Sequence, residues 1–320
     1  MKQHCLRVST NLLGPEASSL YMSSLSNKEI VYMTHTVRTF FDELKETLEI
    51  EIRNKTWITD EQRQALLTKI NDLSLTIPEK LFFRNKNNEL YLSDNYINNS
   101  LILMKRYRSS IYSVIPSLIR PGTPEQIWTR YATPFQSKGV AVYGLNLVII
   151  PFGAIDYGNM FIENYEAQSN YLIWATIGNL IARQISQHFD VNGMYYWNQT
   201  RNNNHLLMSS DGTENINFGN YINCQKNNIY KDQIHMTLPL TSQTVSFKIS
   251  EHTLNARLSE IMGLRLTYDT LERLNLFSEN HLPWLKLNVK QLFYLTYAQM
   301  YCTKSLLTTS YVSLHENEEL

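Results

Sequence analysis

The chain has 320 residues, with 29 Lys+Arg against 29 Asp+Glu, 43% apolar and 18% charged. That balance excludes a disordered chain, and it excludes a phosphate-tracking nucleic-acid binder, which needs a basic surface. The length suits one large domain or two ordinary ones, and 11 glycines with 9 prolines rule out collagen-like and glycine-rich repeats.

The first residues, M-K-Q-H-C-L-R, carry no apolar signal-peptide core. Residues 29–52 place Val37, Phe40, Phe41, Leu44 and Leu48 on one stripe at helical spacing, which predicts a long helix. Thr59-Asp60-Glu61-Gln62 is a capping-box start, followed by the apolar face Ala65, Leu66, Ile70 and Leu73, with Pro78 closing the element. Residues 96–113 read as a third helix. Pro116, Pro121 and Pro124 then punctuate a turn region and mark the best boundary. Residues 140–150 are β-branched and apolar around Gly144 and Asn146, which predicts a strand or a hairpin.

Residues 165–189 read as a long helix, with Ile173, Ile177, Leu180, Ile181 and Ile185 on a broad apolar face. The asparagine cluster at 201–205 reads as a loop. Residues 253–274 and 289–302 supply the last two helices. The fold class is therefore mainly α with a minor β component (α+β). No stretch offers the ~20 apolar residues of a membrane-spanning helix, because Asn146 and Pro151 interrupt one candidate and Asn179 the other.

Cys5, Cys224 and Cys302 are an odd count. On count alone they read as three buried thiols of a reducing compartment; a secreted chain would leave at least one unpaired or pair it with another chain. Three N-x-S/T sequons, at Asn54, Asn98 and Asn198, point toward a secretory setting and are the candidate glycan acceptors. No disulfide among the three cysteines is expected.

The string Q-L-F-Y-L-T-Y-A-Q-M-Y-C at 291–302 resembles the Q-L-F-F-L-x-F-A-Q-x-W-C segment of the neprilysin and endothelin-converting-enzyme family of zinc peptidases. Other pieces follow in family order. Trp57-Ile58-Thr59-Asp60 with Ala65, Lys69 and Ile70 resembles W-M-D-x-x-T…A…K; Pro151-Phe152-Gly153 resembles F-P-A-G; Gly263 to Tyr268, G-L-R-L-T-Y, resembles G-L-K-L-A-Y. Cys5 with the A-S-S-L-Y run to Tyr21, and Cys224 opening C-Q-K-N-N, also match. The resemblance implies a zincin-like peptidase region at 138–320, preceded by a helical region at 1–137 similar to part of the family's N-terminal ectodomain. It also implies an extracellular or membrane-associated setting, and partner cysteines lying outside this chain.

The family's chemistry rests on H-E-x-x-H, in which two His ligate zinc and the Glu is general base, with a third ligand from E-N-I-A-D. Counting back from Phe189-Asp190, the first motif reads Arg183-Gln184-Ile185-Ser186-Gln187 here. Counting back from Gly263-Leu264, the second reads Ala256-Arg257-Leu258-Ser259-Glu260. The ligand positions hold Arg183, Gln187 and Ala256, and the base position holds Gln184. A register slip of one gives His188 as a single histidine, best read as a polar residue at a helix end. The family's substrate-gripping N-A-[FY]-Y reads Val140-Ala141-Val142-Tyr143, leaving Ala141 and Tyr143 as substrate-binding candidates, with His315 as a further one.

These substitutions imply a catalytically inactive, truncated neprilysin-like homologue: no zinc, no other cofactor, and peptides or a protein partner as ligands. The competing readings are an active zinc metalloendopeptidase and a truncation product without function. Arg183 at the first ligand position and Glu260 at the position of the family's orienting Asp are expected to form an ion pair. The competing arrangement is Arg183 extended over apolar surface to solvent.

Overall fold

A computed structural model describes residues 12–83, 92–113, 127–128, 131–159, 170–190, 192–194, 216–230, 234–237, 243–247, 254–278 and 285–302. Cys5, Asn198, His315 and the proline-punctuated segment 116–124 lie outside them.

The elements follow the apolar periodicity. Helix α1, Gly14–Ser24, precedes α2, Asn27–Asn54; of the stripe read from the sequence Val37, Phe41 and Leu44 are buried and Phe40 and Leu48 half-buried, and the buried Met33 extends it. Ser26 and Glu29 close a capping box at its start. Helix α3, Asp60–Asn71, starts at the Thr59–Gln62 capping box. It ends before Pro78, because residues 74–76 leave it to form a strand. A cap of this kind is worth about 1 kcal/mol. Helix α4 is Tyr96–Ser113.

One small mixed sheet holds β1, Ser74–Thr76, β2, Val140–Val142, and β3, Leu147–Ile149, in the order β1-β3-β2. Strand β1 runs parallel to β3, and β2 antiparallel to it with Val142 opposite Leu147. A 3-10 turn at Tyr143–Leu145 ends on Asn146 at φ 48°, a left-handed position that asparagine tolerates, so the hairpin read from the sequence is present. Helix α5, Phe152–Asn159, begins right after the sheet. Gly153 is obligatory there, since a Cβ would lie 2.4 Å from the Phe135 carbonyl oxygen.

The predicted long helix is described from residue 170 onward: α6, Asn170–Ile173, passes through a π-helical turn, Trp174–Gly178, into α7, Asn179–Gln187. Trp174 in that turn stacks on Phe40 of α2 at 3.9 Å between centroids, a contact worth about 1 kcal/mol beyond its burial. Helix α8 is Ile216–Tyr230, followed by the antiparallel pair β4, Ile234–Thr237, and β5, Thr244–Phe247. Helices α9, Leu254–Arg273, and α10, Val289–Gln299, complete the described chain.

The mainly helical architecture with a minor sheet is as expected from periodicity. One apolar cluster runs from Met22 and Val37 through Val148, Ile177 and Ile181 to Leu266 and Phe293, so residues before and after position 137 share it. Helix α9 packs along α7 and α2. Its C-terminal end is clasped to α2: Arg273 donates to Thr47 Oγ1 at 3.0 Å and meets Glu46 at 3.1 Å, and Thr270 donates to Thr47 at 2.9 Å. No described helix is long and apolar enough to cross a membrane.

Candidate functional site

Helix α7 carries Asn179, Arg183 and Gln187 at successive i, i+4 steps, hence along one face. Helix α9 carries Ala256 and Glu260 in the same relation. Gly263 lets the two helices touch backbone to backbone: a Cβ there would lie 2.7 Å from the Arg183 nitrogen and 2.8 Å from its Cα. That approach brings Arg183 against Glu260.

Arg183 Nε lies 3.0 Å from Glu260 Oε2, with side chains only 9% and 16% exposed. The expected ion pair is present, and Arg183 does not extend to solvent. The Nε–H is not aligned on the oxygen as a hydrogen bond, so the contact is mainly Coulombic. The second carboxylate oxygen, Oε1, accepts from Asn179 Nδ2 at 3.2 Å, from Tyr297 at 2.9 Å and from Tyr301. One cation and three neutral donors therefore hold this carboxylate. Burial, and then the Glu260 charge, push both tyrosine hydroxyls above the ordinary phenol value, so they remain donors. Asn179, Tyr297 and Tyr301 carry no sequence mark as a set; only the packing of α7, α9 and α10 assembles them.

Gln184 is buried and packs under the start of β2: a Cβ on Gly139 would lie 2.7 Å from Gln184 Cγ. Gln187 and Ala256 are half-buried. At the motif positions Arg183, Gln184, Gln187 and Ala256 the side chains are one permanent cation, two neutral amides and a methyl group, none of them a usual zinc ligand, and the nearby Glu260 carboxylate is engaged by Arg183. Among the described residues, no three His, Cys, Asp or Glu side chains gather as a metal site would require.

Among the described strands β2 forms one edge of the sheet, so its outer backbone groups face away from β3. Val140 and Ala141 on it are half-buried, as is Tyr143 just beyond. The Tyr143 ring meets His188 edge-on at 5.8 Å.

His188 is the expected polar residue at a helix end: it caps α7, and it is completely buried there. Its Nε2 lies 3.2 Å from the Leu147 carbonyl oxygen, and Nδ1 is buried without a hydrogen-bond partner. Burial first, and then nearby Lys69, lower its pKa to about 3, so it is a neutral imidazole donating to Leu147.

Lys69, read from the sequence only as part of a matching segment, is also completely buried. Its ammonium donates to the Gly193 carbonyl at 3.3 Å and to Asn146 Oδ1 at 3.5 Å, while Asn146 Nδ2 donates back to the Lys69 carbonyl at 2.8 Å. Burial lowers its pKa to about 7 against the opposing pull of Asp190. Asp190 accepts from the Gly193 N–H at 2.8 Å, yet burial raises it to about 6. This polar knot ties α3 and the β2–β3 turn to the chain leaving α7.

Of the remaining sequence candidates, Asn54 and Asn98 are exposed, as glycan acceptors need to be. Cys224 and Cys302 are free thiols, unpaired with each other as expected, but both are exposed, which corrects the reading of buried thiols.

A family model described as peptidase family M13 matches residues 141–319, more than half of the chain. Neprilysin-3 of Drosophila melanogaster is 19% identical over 325 residues, covering 98% of this chain and 38% of the relative. The zinc metalloprotease Zmp1 of Mycobacterium tuberculosis, solved with an inhibitor, superposes with a TM-score of 0.68 at 17% identity, over 98% of this chain and 44% of that one. A Haemonchus galactose-containing glycoprotein complex superposes at 0.65 with 15% identity, over 99% and 48% of the two chains. The chain thus spans less than half the length of these relatives, and the likenesses to solved structures show the fold.

Proposed function

The chain belongs to peptidase family M13, and on that premise we propose that it is a catalytically inactive member that binds peptides without cleaving them. The Arg183–Glu260 ion pair carries this reading. In the register taken from the family motifs, Arg183 stands at the first zinc-ligand position and Glu260 at that of the orienting carboxylate. A fixed guanidinium there repels a dication and supplies no lone pair. Gln187 and Ala256 at the other ligand positions do not compensate, so the family's zinc does not fit these residues. Gln184 at the base position cannot take a proton from water.

The edge strand β2 supports the binding half of the proposal. It lies over α7 and offers backbone groups that an extended peptide can pair with, as in strand addition. Val140 stands where the family's Asn would hold the substrate backbone, so affinity rests on main-chain pairing and on the neighbouring Ala141 and Tyr143. The exposed sequons at Asn54 and Asn98 support an extracellular or membrane-associated setting for the protein.

The test is a library of quenched fluorescent peptides incubated with the full chain, with binding read by polarisation and cleavage by mass spectrometry. Binding without products is expected. Chelator-sensitive products would contradict the inactive reading, and absence of any binding would contradict peptide recognition.

A further inference from the structure

Arg183 has more donors than Glu260 uses. A guanidinium carries five N–H donors in a planar fork. Here Nε is the atom turned to Glu260, at 3.0 Å from Oε2. Both of these atoms are fully buried. The terminal nitrogens Nη1 and Nη2 differ from them. They donate to no described residue and are not fully buried, so the 9% of the side chain that stays exposed includes the far edge of the fork.

The compensation within the pair is uneven. Glu260 is held by Arg183 on one oxygen and by Asn179, Tyr297 and Tyr301 on the other. Arg183 meets one carboxylate, on one edge, and among the described residues it pairs with no second acid. Its position is fixed from both sides. Gly263 of α9 presses on its backbone, and Glu260 holds its Nε edge. A guanidinium held in place with its Nη edge open takes a carboxylate end-on, through two parallel N–H···O bonds. A neutral carbonyl there gains a hydrogen bond without the charge, and a cation is repelled. The neighbouring residue, Gln184, packs under the start of β2, so this edge lies beside the strand offered to peptides.

We propose that the Nη edge of Arg183 is a seat for a ligand carboxylate, so that the peptides this protein binds are those that present a free C-terminal carboxylate or an acidic side chain to it. The seat rests on the peptide-binding reading and specifies the chemistry of the peptides bound.

Four hexapeptide pools with an uncharged N-terminal dye, read by fluorescence polarisation against the full chain, test it. The first pair has no acidic residue and ends in either a free carboxylate or an amide. The second pair ends in an amide and carries either one Glu or one Gln at a varied position. In at least one pair the acidic pool is expected to bind at least about tenfold more tightly than its neutral counterpart, the ratio expected when a neutral hydrogen bond becomes a charge-assisted one. The pair that shows the preference identifies the source of the carboxylate. Arg183→Met should bring that pair to equal affinity, an effect on the ratio that a merely structural role would not produce; Arg183→Gln takes its place if the first variant fails a circular-dichroism check of folding. Neutral pools bound as tightly as acidic ones in both pairs would overturn the carboxylate seat alone, as would an acid preference that survives the loss of Arg183. A folded wild-type chain that binds none of the pools would overturn the seat and the peptide-binding reading together.

Discussion

Breaking the Arg183–Glu260 pair from either side should give unequal costs. Arg183→Met leaves the carboxylate with Asn179, Tyr297 and Tyr301 as donors, so only the ionic partner is lost. Glu260→Leu leaves a buried guanidinium and strips three hydroxyl or amide donors of their acceptor at once. Removing one member of a buried pair costs about 3–5 kcal/mol when the survivor is uncompensated. Glu260→Leu belongs in that range, at about 4 kcal/mol, and Arg183→Met below it, at about 2 kcal/mol. The double variant removes the stranded charge, so it should cost about 4 kcal/mol rather than the additive ~6 kcal/mol, a coupling of about 2 kcal/mol. Urea unfolding followed by circular dichroism measures all four corners of the cycle. Costs that add within about 0.5 kcal/mol, or an arginine variant more damaging than the glutamate one, would show that the two side chains do not act as a pair.

Three further outcomes follow from the same geometry. Gly263→Ala drives a Cβ into the Arg183 backbone and should cost about 1–3 kcal/mol in urea; an unchanged midpoint would mean that α7 and α9 are not in contact there. His188, lowered from 6.5 to about 3 by folding, contributes stability that is complete above pH 6.5 and is lost as pH falls toward 3, at most about 4–5 kcal/mol. Asp190, raised to about 6, works in the opposite sense between pH 3.8 and 6, so the comparison of wild type with His188→Gln isolates the histidine. The variant should lose less stability on acidification, and identical pH profiles would refute a neutral buried imidazole. Finally, the combination Arg183→His, Gln184→Glu, Gln187→His and Ala256→Glu restores a three-ligand set on two helices already in place. Elemental analysis should find about one zinc per chain in that variant; none would mean that Gln187 and Ala256 do not face a common point.

Helices α2, α3, α4, α9 and α10 were legible because their apolar residues recur at 3.6-residue spacing and because Thr59–Gln62 writes its own start, whereas α5 and α8, Ile216–Tyr230, were not read as helices. The Arg183–Glu260 pairing was legible too, through motif register, although 77 residues separate the partners. Strand β1 was hidden, since three residues directly after a helix carry no period of their own and become a strand only by pairing with β3, far along the chain. The burial of Lys69 and His188 was hidden for a related reason: nothing near either residue in the chain shows that Asn146, Gly193 and Leu147 fold over them. The acceptor role of Glu260 toward Tyr297 and Tyr301 likewise exists only once α10 is docked.

The central claim is that these residues do not hold the metal on which M13 catalysis depends. Zinc content by elemental analysis, after equilibration of the folded wild-type chain with excess zinc and removal of loosely bound ions, tests it most directly. Well under one zinc per ten chains is the predicted result; one zinc per chain would contradict the account.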